Sequence, residues 1–315
     1  MRSRWSQPKL IAACAAVFVA IAAAPVSASA DDSYTDTRYP IVLAHGAGGF
    51  DELFGVYEYW YGIPDALSEG GADVYVTEVS QLASTEARGE QLLEQVEEIV
   101  VTAGVARVNI IGHSHGGLDA RYVAAVRPEL VASVTTVGTP HRGAELADFL
   151  RDHVEDGSFG EAVLGRFAEK LGDILALIAG TSNEQDAIGA IDALTAAGLE
   201  EFNERYPNGL GDAPCGEGPE KVGTTRYYSW SGDRWLTNIF DPTTPLFGLT
   251  NLVYDERSDG LVGRCSSRFG RVIRDDYRLN HVDQVNQVLG LTHLFGPNPK
   301  SLFRIHANRL REQGL

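Results

Sequence analysis

Apolar and polar positions along this chain change their spacing in a way that predicts strands and helices in turn. Helical spacing, with apolar residues every three or four positions, marks the stretch that Ser84 caps and Gly104 ends. Short, β-rich apolar runs predict strands over Tyr39–Ala44, Asp73–Val79, Val108–Ile111, Val131–Val137 and Arg226–Trp230. A last, polar helix is predicted over His306–Leu310. Strands that alternate with helices predict an α/β fold, in which a mostly parallel sheet carries helices on both faces.

The alternation stops after His141. From Ala144 to about Leu199 the sequence is helix-forming without a strand pattern, and apolar residues recur at helical spacing from Leu164 to Ile178. This region predicts a helical cap within residues 144–199. The apolar face of its helix could pack in the core, or it could form a lid that opens at a lipid surface. The sequence alone favours neither of these two interpretations.

The first thirty residues have the pattern of a secretory signal peptide. Arg2, Arg4 and Lys9 precede an apolar run over Leu10–Ala24, and residues 28–30 form an A-x-A cleavage site. The run is too short to span a bilayer comfortably, and no later stretch is long enough. We therefore expect a secreted protein with one domain over residues 31–315 and no stable membrane insertion.

Charge and cysteine content narrow the possible partners and compartments. The formal net charge is −17, and it becomes more negative once the three cationic residues of the signal segment are removed. Such a chain is not expected to bind nucleic acid or an anionic membrane surface through its charge. Removal of Cys14 leaves Cys215 and Cys265. An even pair in an exported chain predicts one disulfide, with two free thiols as the alternative.

The stretch that carries chemistry is residues 108–117, VNIIGHSHGG. A short apolar strand leads into the G-x-S-x-G pentapeptide of residues 112–116 and then into a helix-like run. This is the setting of a nucleophile elbow, in which Ser114 projects from a tight turn toward a base and a substrate carbonyl. Gly112 and Gly116 would let strand and helix approach closely. An ordinary glycine-rich turn is the alternative.

A second glycine-rich turn follows the first predicted strand, at residues 45–50 (HGAGGF). Its backbone could supply half of an oxyanion hole through the N–H of Ala47. The N–H of His115, the residue after the serine, would supply the other half. A phosphate-binding loop is the weaker alternative, because the spacings G-K-[ST] and G-x-G-x-x-G do not occur here. We expect His45 to be a structural histidine that hydrogen-bonds its own loop.

A serine nucleophile of this kind needs an acid and a histidine, which follow it in that order in α/β-hydrolases. His281 lies in a polar loop and is preferred over His293 and His306. The acid is expected shortly before it, and the candidates are Asp233, Asp241, Asp255, Asp259 and the pair Asp275-Asp276. Asp259 is preferred because it directly precedes the turn into Leu261-Val262, and Asp255 is the second choice.

Together these motifs resemble the secreted true lipases of the Pseudomonas/Burkholderia type. The matching segments occur in order along the whole mature chain and include YPIVLAHG, VNIIGHSHGG, CGEG, RYYSWSG, DGLVG and NHVDQVNQV. The resemblance implies an α/β-hydrolase fold with a lid, hydrolysis of triacylglycerols at an oil–water interface, and often a membrane-bound foldase. It also implies a triad of Ser114, Asp259 and His281, and a Cys215–Cys265 disulfide. The family often carries a bulkier apolar residue than Ala47, so its acyl-chain preference is not carried over.

The resemblance further implies one structural calcium ion. The carboxylates of Asp241 and Asp283 would bind it, and the main-chain carbonyls of Gln287 and Leu291 would complete the site. From the residue types alone, two solvated loop carboxylates in an acidic chain would be the simpler interpretation. The calcium site therefore depends on the resemblance.

Two other functions compete with an extracellular lipase. A carboxylesterase or polyester hydrolase would use the same triad without activation at an interface. A catalytically silent binding module would keep the fold, but it would have no need for Ser114, Asp259, His281 and the HG loop together. The intact set of these residues favours an enzyme.

Overall fold

A seven-stranded sheet is the centre of the fold. The protein is described by a computed structural model that covers residues 33–49, 52–53, 57–154, 186–293 and 295–315. Its strands are β1 (Ile41–Ala44), β4 (Val74–Thr77), β5 (Val108–His113), β6 (Val131–Val137), β7 (Lys221–Val222), β8 (Thr225–Gly232) and β9 (Arg271–Tyr277), and a separate hairpin contains β2 (Glu52–Leu53) and β3 (Tyr57–Glu58). The strand order is β4-β1-β5-β6-β8-β7, with β9 also paired to β8. All pairs of the sheet are parallel except β7 with β8.

Helices connect these strands. The α-helices of the described residues are α1 (Ile63–Ser68), α2 (Thr85–Ala103), α3 (His115–Val126), α4 (Glu145–Val154), α5 (Ala187–Leu194), α6 (Ala196–Arg205), α7 (Thr244–Thr250) and α8 (Pro299–Glu312). None of them combines the length and the apolar character needed to cross a bilayer. The described parts of the predicted cap are helical, as expected. The predicted signal segment and the predicted lid helix over residues 164–178 lie outside the described residues and stay predictions.

The two faces of the sheet are both covered, because successive side chains of a strand point to opposite sides. Val42 of β1 packs in one cluster with Leu92 of α2 and Val123 of α3. Leu43, the next residue of β1, packs in a second cluster that also contains Ile63 of α1 and Phe303 of α8. Strands that are buried on both faces have continuous apolar sequences. Because the mostly parallel sheet carries helices on both faces, the α/β prediction is confirmed.

Local sequence signals mark both ends of α2, the longest helix of the described residues. The Ser84 side chain accepts a hydrogen bond from Ala87 N at 3.4 Å and caps α2 at its first turn. Gly104 ends the helix with φ of 66°, a left-handed conformation that favours glycine. Both predicted ends of this helix are therefore confirmed.

The strand β9 and the C-terminal helix α8 differ from the sequence prediction for identifiable reasons. The strand β9 was not predicted, because its sequence RVIRDDY is rich in charge and only half-buried, which hides the period-2 pattern. The C-terminal helix was predicted over His306–Leu310 but begins at Pro299, a residue that is favourable in the first helical turn. The element was recognised, and its beginning was missed.

The disulfide between Cys215 and Cys265 is present. The Cα atoms of the two residues are 4.5 Å apart, and the residues are 50 positions apart in sequence. The bond links the loop between α6 and β7 to the segment that precedes β9. The predicted pairing of the two cysteines is confirmed.

Candidate active site

The elbow between β5 and α3 holds Ser114 in a strained backbone conformation. Its φ is 54° and its ψ is −127°, values that a non-glycine residue rarely adopts. Strand and helix are in direct contact on either side of it, since a Cβ on Gly112 would lie 2.2 Å from the carbonyl oxygen of Gly116. The turn therefore has the close approach that the G-x-S-x-G motif predicts.

Asp259 and His281 form a buried pair. His281 Nδ1 lies 2.8 Å from Asp259 Oδ2, and both side chains are almost fully buried. His281 N also donates to the main-chain oxygen of Asp259 at 2.9 Å. The other carboxylate oxygen, Oδ1, accepts from Leu261 N at 3.0 Å and from Val262 N at 2.8 Å. Because an ionised carboxylate only accepts, His281 carries its proton on Nδ1 and leaves Nε2 free to act as a base.

The pair of Asp259 and His281 lies next to Ser114 at the carboxyl end of β6. Ser114 N donates to Val137 O at 2.9 Å. A Cβ on Gly138, the next residue, would lie 3.1 Å from Asp259 Oδ2. The ring of His281 lies 4.6 Å from the ring of His113, which directly precedes the serine. The three residues predicted as a triad thus lie on the same side of the sheet, at the carboxyl ends of β5 and β6.

The other candidates for the acid and the histidine are placed elsewhere. Asp255 is exposed. His306 is buried, and its Nε2 lies 2.7 Å from Thr135 Oγ1 of β6. His293 accepts a hydrogen bond from Phe295 N at 3.0 Å. The remaining acids are engaged with arginine or asparagine side chains, namely Asp233 with Arg257, Asp241 with Asn280, Asp275 with Arg264, and Asp276 with Arg274.

Gln284 is a residue of the site that the sequence analysis missed. Its Nε2 donates to Asp259 Oδ2 at 2.7 Å, so this oxygen accepts from both the glutamine and His281. Gln284 lies in the short helical turn over Asp283–Val285, and no local motif marks its contact with Asp259, which lies 25 positions away in sequence. Four donors thus fix the orientation of the Asp259 carboxylate.

The loop after β1 presents a backbone N–H at Ala47. Gly46 O accepts from His45 Nδ1 at 2.8 Å and from Gly49 N at 3.1 Å. Since the peptide bond is planar and trans, the N–H of Ala47 points away from that oxygen. Ala47 is exposed, and His115 is the first residue of α3, where N–H groups have no intrahelical acceptor. The geometry is compatible with the predicted donors.

A buried arginine supports this loop. Arg88 NH2 donates to His45 O at 2.7 Å, and Arg88 Nε donates to Asp119 Oδ2 at 2.9 Å. His45 Nδ1 bonds Gly46 O in its own loop, as expected, and His45 Nε2 accepts a hydrogen bond from Val79 N at 3.2 Å, so the ring is neutral. Burial, and then the charge of Arg88, lower the pKa of His45 to about 3. Nothing in the local sequence marked Arg88, because its partners lie in other elements.

Asp241 and Asp283 lie on either side of Asn280. Asn280 Nδ2 donates to Asp241 Oδ2 at 2.8 Å, and Asn280 N donates to Asp283 Oδ2 at 3.3 Å. Asp283 Oδ1 is buried and accepts no hydrogen bond from the described residues. Burial, with a contribution from Asp241, raises the pKa of Asp283 to about 7.

An orphaned carboxylate oxygen beside a second carboxylate fits a hard cation. Among the described residues, no cluster of three or more His, Cys, Asp or Glu side chains is placed to bind a metal ion. A cation at this position would therefore need carbonyl oxygens as well. That requirement agrees with a ligand set of two acids completed by the main chain at Gln287 and Leu291.

Comparison with known proteins identifies the family. A family profile described as alpha/beta hydrolase fold matches residues 39–283. The chain is 49% identical to a triacylglycerol lipase of Vibrio cholerae serotype O1, over 91% of this chain and 92% of that one. It is 44% identical to a triacylglycerol lipase of Pseudomonas fragi, over 90% of this chain and 100% of that one.

A solved structure gives the fold alone. The mature form of a Bacillus licheniformis lipase superposes with a TM-score of 0.59 at 19% identity, over 87% of this chain and 92% of that chain. The sequence relatives show the family as well as the fold, because their identity is high and covers nearly the whole of both chains. The chain is therefore a serine ester hydrolase that belongs to the α/β-hydrolase fold family and, within it, to the bacterial triacylglycerol lipases.

Proposed function

We propose that this chain hydrolyses the ester bonds of long-chain acylglycerols, with Ser114 as nucleophile, His281 as general base and Asp259 as the acid that orients it. The observation that carries the proposal is the buried pair of Asp259 and His281, joined at 2.8 Å beside the strained Ser114. The names of the relatives, which are triacylglycerol lipases, supply the class of substrate.

The first half of the reaction forms an acyl-enzyme. Ser114 Oγ attacks the ester carbonyl carbon while His281 Nε2 takes the hydroxyl proton. The electron pair of the carbonyl bond moves to its oxygen, which the N–H groups of Ala47 and His115 stabilise. The intermediate then expels the alcohol oxygen, which receives the proton from His281. Asp259 holds the ring in the required tautomer and stabilises its charged form.

The second half returns the enzyme to its starting state. A water molecule attacks the acyl carbon, and His281 removes one of its protons. The new intermediate expels Ser114 Oγ, which recovers a proton from His281, and the fatty acid leaves. Each backbone donor of the oxyanion hole lowers the barrier by roughly 3 kcal/mol in enzymes of this kind.

A fluorophosphonate probe tests the assignment of the nucleophile. The wild-type chain should be labelled and should hydrolyse emulsified long-chain triglycerides, and Ser114→Ala should lose both properties. His281→Ala should lower turnover by several orders of magnitude. Labelling that persists in Ser114→Ala would remove Ser114 from the mechanism. Absence of labelling in the wild type would instead favour a binding module.

We also propose that the helix predicted over residues 164–178 is a lid, on the strength of its apolar stripe. Activity should then rise sharply once the substrate forms droplets, and replacement of Phe167 and Leu171 by serine should lower activity on emulsions more than on soluble esters. Equal losses on both substrates would place this helix in the core. Activity without any preference for droplets would favour a carboxylesterase or polyester hydrolase.

We further propose that Asp241 and Asp283, with the main-chain carbonyls of Gln287 and Leu291, bind one structural calcium ion. Its positive charge would compensate the two buried carboxylates next to the His281 loop. Chelation should lower the melting temperature and the activity together, and added calcium should restore both. Asp241→Ala should behave like the chelated wild type. A wild-type melting curve that does not respond to chelator would contradict the site.

Export is the last part of the proposal. The pattern of residues 1–30 supports cleavage near Asp31 and secretion, and the resemblance to lipases of the Pseudomonas/Burkholderia type supports a dedicated foldase. Expression in a bacterial host with and without a foldase from a related lipase operon tests both. Mass spectrometry of the exported chain should give an N-terminus near residue 31. A retained leader, or full activity without a foldase, would contradict the respective part.

A further inference from the structure

The ring of His113 lies between two loops that the proposed reaction uses. Its Nε2 lies 3.0 Å from the main-chain oxygen of His281, a residue 168 positions away in sequence. Its Nδ1 lies 2.5 Å from the hydroxyl of Tyr59. The same hydroxyl accepts a hydrogen bond from Gly46 N at 3.0 Å. All of these groups are buried.

The proton positions follow from the partners. The oxygen of His281 is a carbonyl and can only accept, so His113 Nε2 carries the proton. Nδ1 is then unprotonated and accepts from the Tyr59 hydroxyl. The chain of donation runs in one direction, from Gly46 N–H to Tyr59, from Tyr59 to His113, and from His113 to the His281 carbonyl. Burial lowers the pKa of His113 well below its ordinary value and keeps the ring neutral, as this chain requires.

Each end of the chain is joined to a group with a proposed role. Gly46 directly precedes Ala47, the proposed oxyanion donor, and the carbonyl at the other end belongs to His281 itself. Gly46 also packs tightly, since a Cβ at this position would lie 2.7 Å from Ser114 Cβ and 2.9 Å from the Tyr59 hydroxyl. The oxyanion loop, the elbow and the histidine loop therefore meet around one tyrosine and one imidazole.

We propose that Tyr59 and His113 are positioning residues that hold the oxyanion loop and the His281 loop at a fixed separation across Ser114. The proposal rests on the function proposed above and adds two residues to its machinery. Neither residue exchanges a proton with the substrate. Their effect is geometric, because a displacement of about 1 Å between catalytic groups can cost on the order of 100-fold in rate.

Tyr59→Phe tests the proposal with the loss of a single oxygen atom. It leaves Gly46 N–H and His113 Nδ1 without their shared partner. We expect kcat on a soluble short-chain ester to fall roughly 10- to 100-fold, with KM nearly unchanged, because the loss affects the transition state. Tyr228→Phe is the matched control, since Tyr228 is also buried and its hydroxyl bonds Gln313 Oε1 at 2.5 Å in another part of the fold.

The two tyrosine variants separate positioning from stability. Melting temperatures should fall in both, whereas kcat should fall only in Tyr59→Phe. Equal kcat values in the two variants, at a temperature where both are folded, would overturn the proposal. A raised KM with unchanged kcat would also overturn it, because it would make Tyr59 a substrate contact. These outcomes are independent of the nucleophile, which the Ser114→Ala variant tests on the same ester.

A double-mutant cycle gives a second test. If Tyr59 and His113 act as one unit, Tyr59→Phe combined with His113→Phe should lower kcat no more than His113→Phe alone. Additive losses would mean that the two residues act separately, which contradicts their proposed action as one hydrogen-bonded unit. If His113→Phe does not fold, His113→Leu replaces it in the cycle, because its side chain also makes neither hydrogen bond. The Tyr59→Phe comparison stands in either case.

Discussion

At the scale of single residues, sequence motifs pointed to the proposed triad but not to the residues that hold it in place. Ser114 stands in a motif, and Asp259 and His281 follow it in a fixed order. Gln284 and Arg88 act through contacts with residues in other segments, such as the bond from Arg88 to His45 across 43 positions. A local pattern cannot reveal such contacts, because they exist only once the chain has folded.

The choice between two nearby acids is testable at this scale. Asp259→Asn should lower kcat by roughly 100- to 10,000-fold on a soluble ester, because an amide facing His281 Nδ1 favours the wrong tautomer. Asp255→Asn is the control, and it should retain wild-type activity because Asp255 is exposed. Full activity of Asp259→Asn, with loss in Asp255→Asn, would transfer the role to Asp255.

At the scale of elements, prediction succeeded where burial was uniform. The run over Val131–Val137 is buried at every position and was predicted with its observed ends. The edge strand β9 pairs only with β8 among the described strands, and its exposed charged positions concealed it. Apolar periodicity reports burial, so it identifies central strands well and edge strands poorly.

The disulfide gives a prediction at this scale. Replacement of Cys215 and Cys265 by alanine together should lower the free energy of unfolding by about 4 kcal/mol, since the bond closes a loop of about fifty residues. Equilibrium urea unfolding measures this value. Wild-type protein under reducing conditions should reproduce it, and a loss below about 1 kcal/mol in both would contradict a structural role for the bond.

At the scale of the whole molecule, five of the six buried histidines of the described residues share a lowered pKa. Burial lowers the pKa of each, to about 3 for His45 and well below the ordinary value for the other four, which are His113, His115, His141 and His306. Burial has the opposite effect on three acids: it raises the pKa of Glu145, that of Asp119 to about 6 and that of Asp283 to about 7. The five histidines outnumber these three acids, so they should dominate the response of stability to mild acid.

The sign of that response follows from linkage. Below about pH 6.5 the unfolded chain binds protons on these histidines and the folded chain does not, so the free energy of unfolding falls as the pH falls. Each such histidine contributes a slope of about 1.4 kcal/mol per pH unit between its ordinary pKa and its lowered one.

Urea unfolding from pH 7 to pH 5 in saturating calcium measures the summed slope of the free energy of unfolding. The same series at higher salt separates the contribution of the net charge, which salt screens. His306→Gln removes one such group far from the site, where its ring lies 2.7 Å from Thr135 Oγ1, and it should reduce the slope by about one proton. A stability that stays constant or rises on acidification would show that the folded protein protonates these rings.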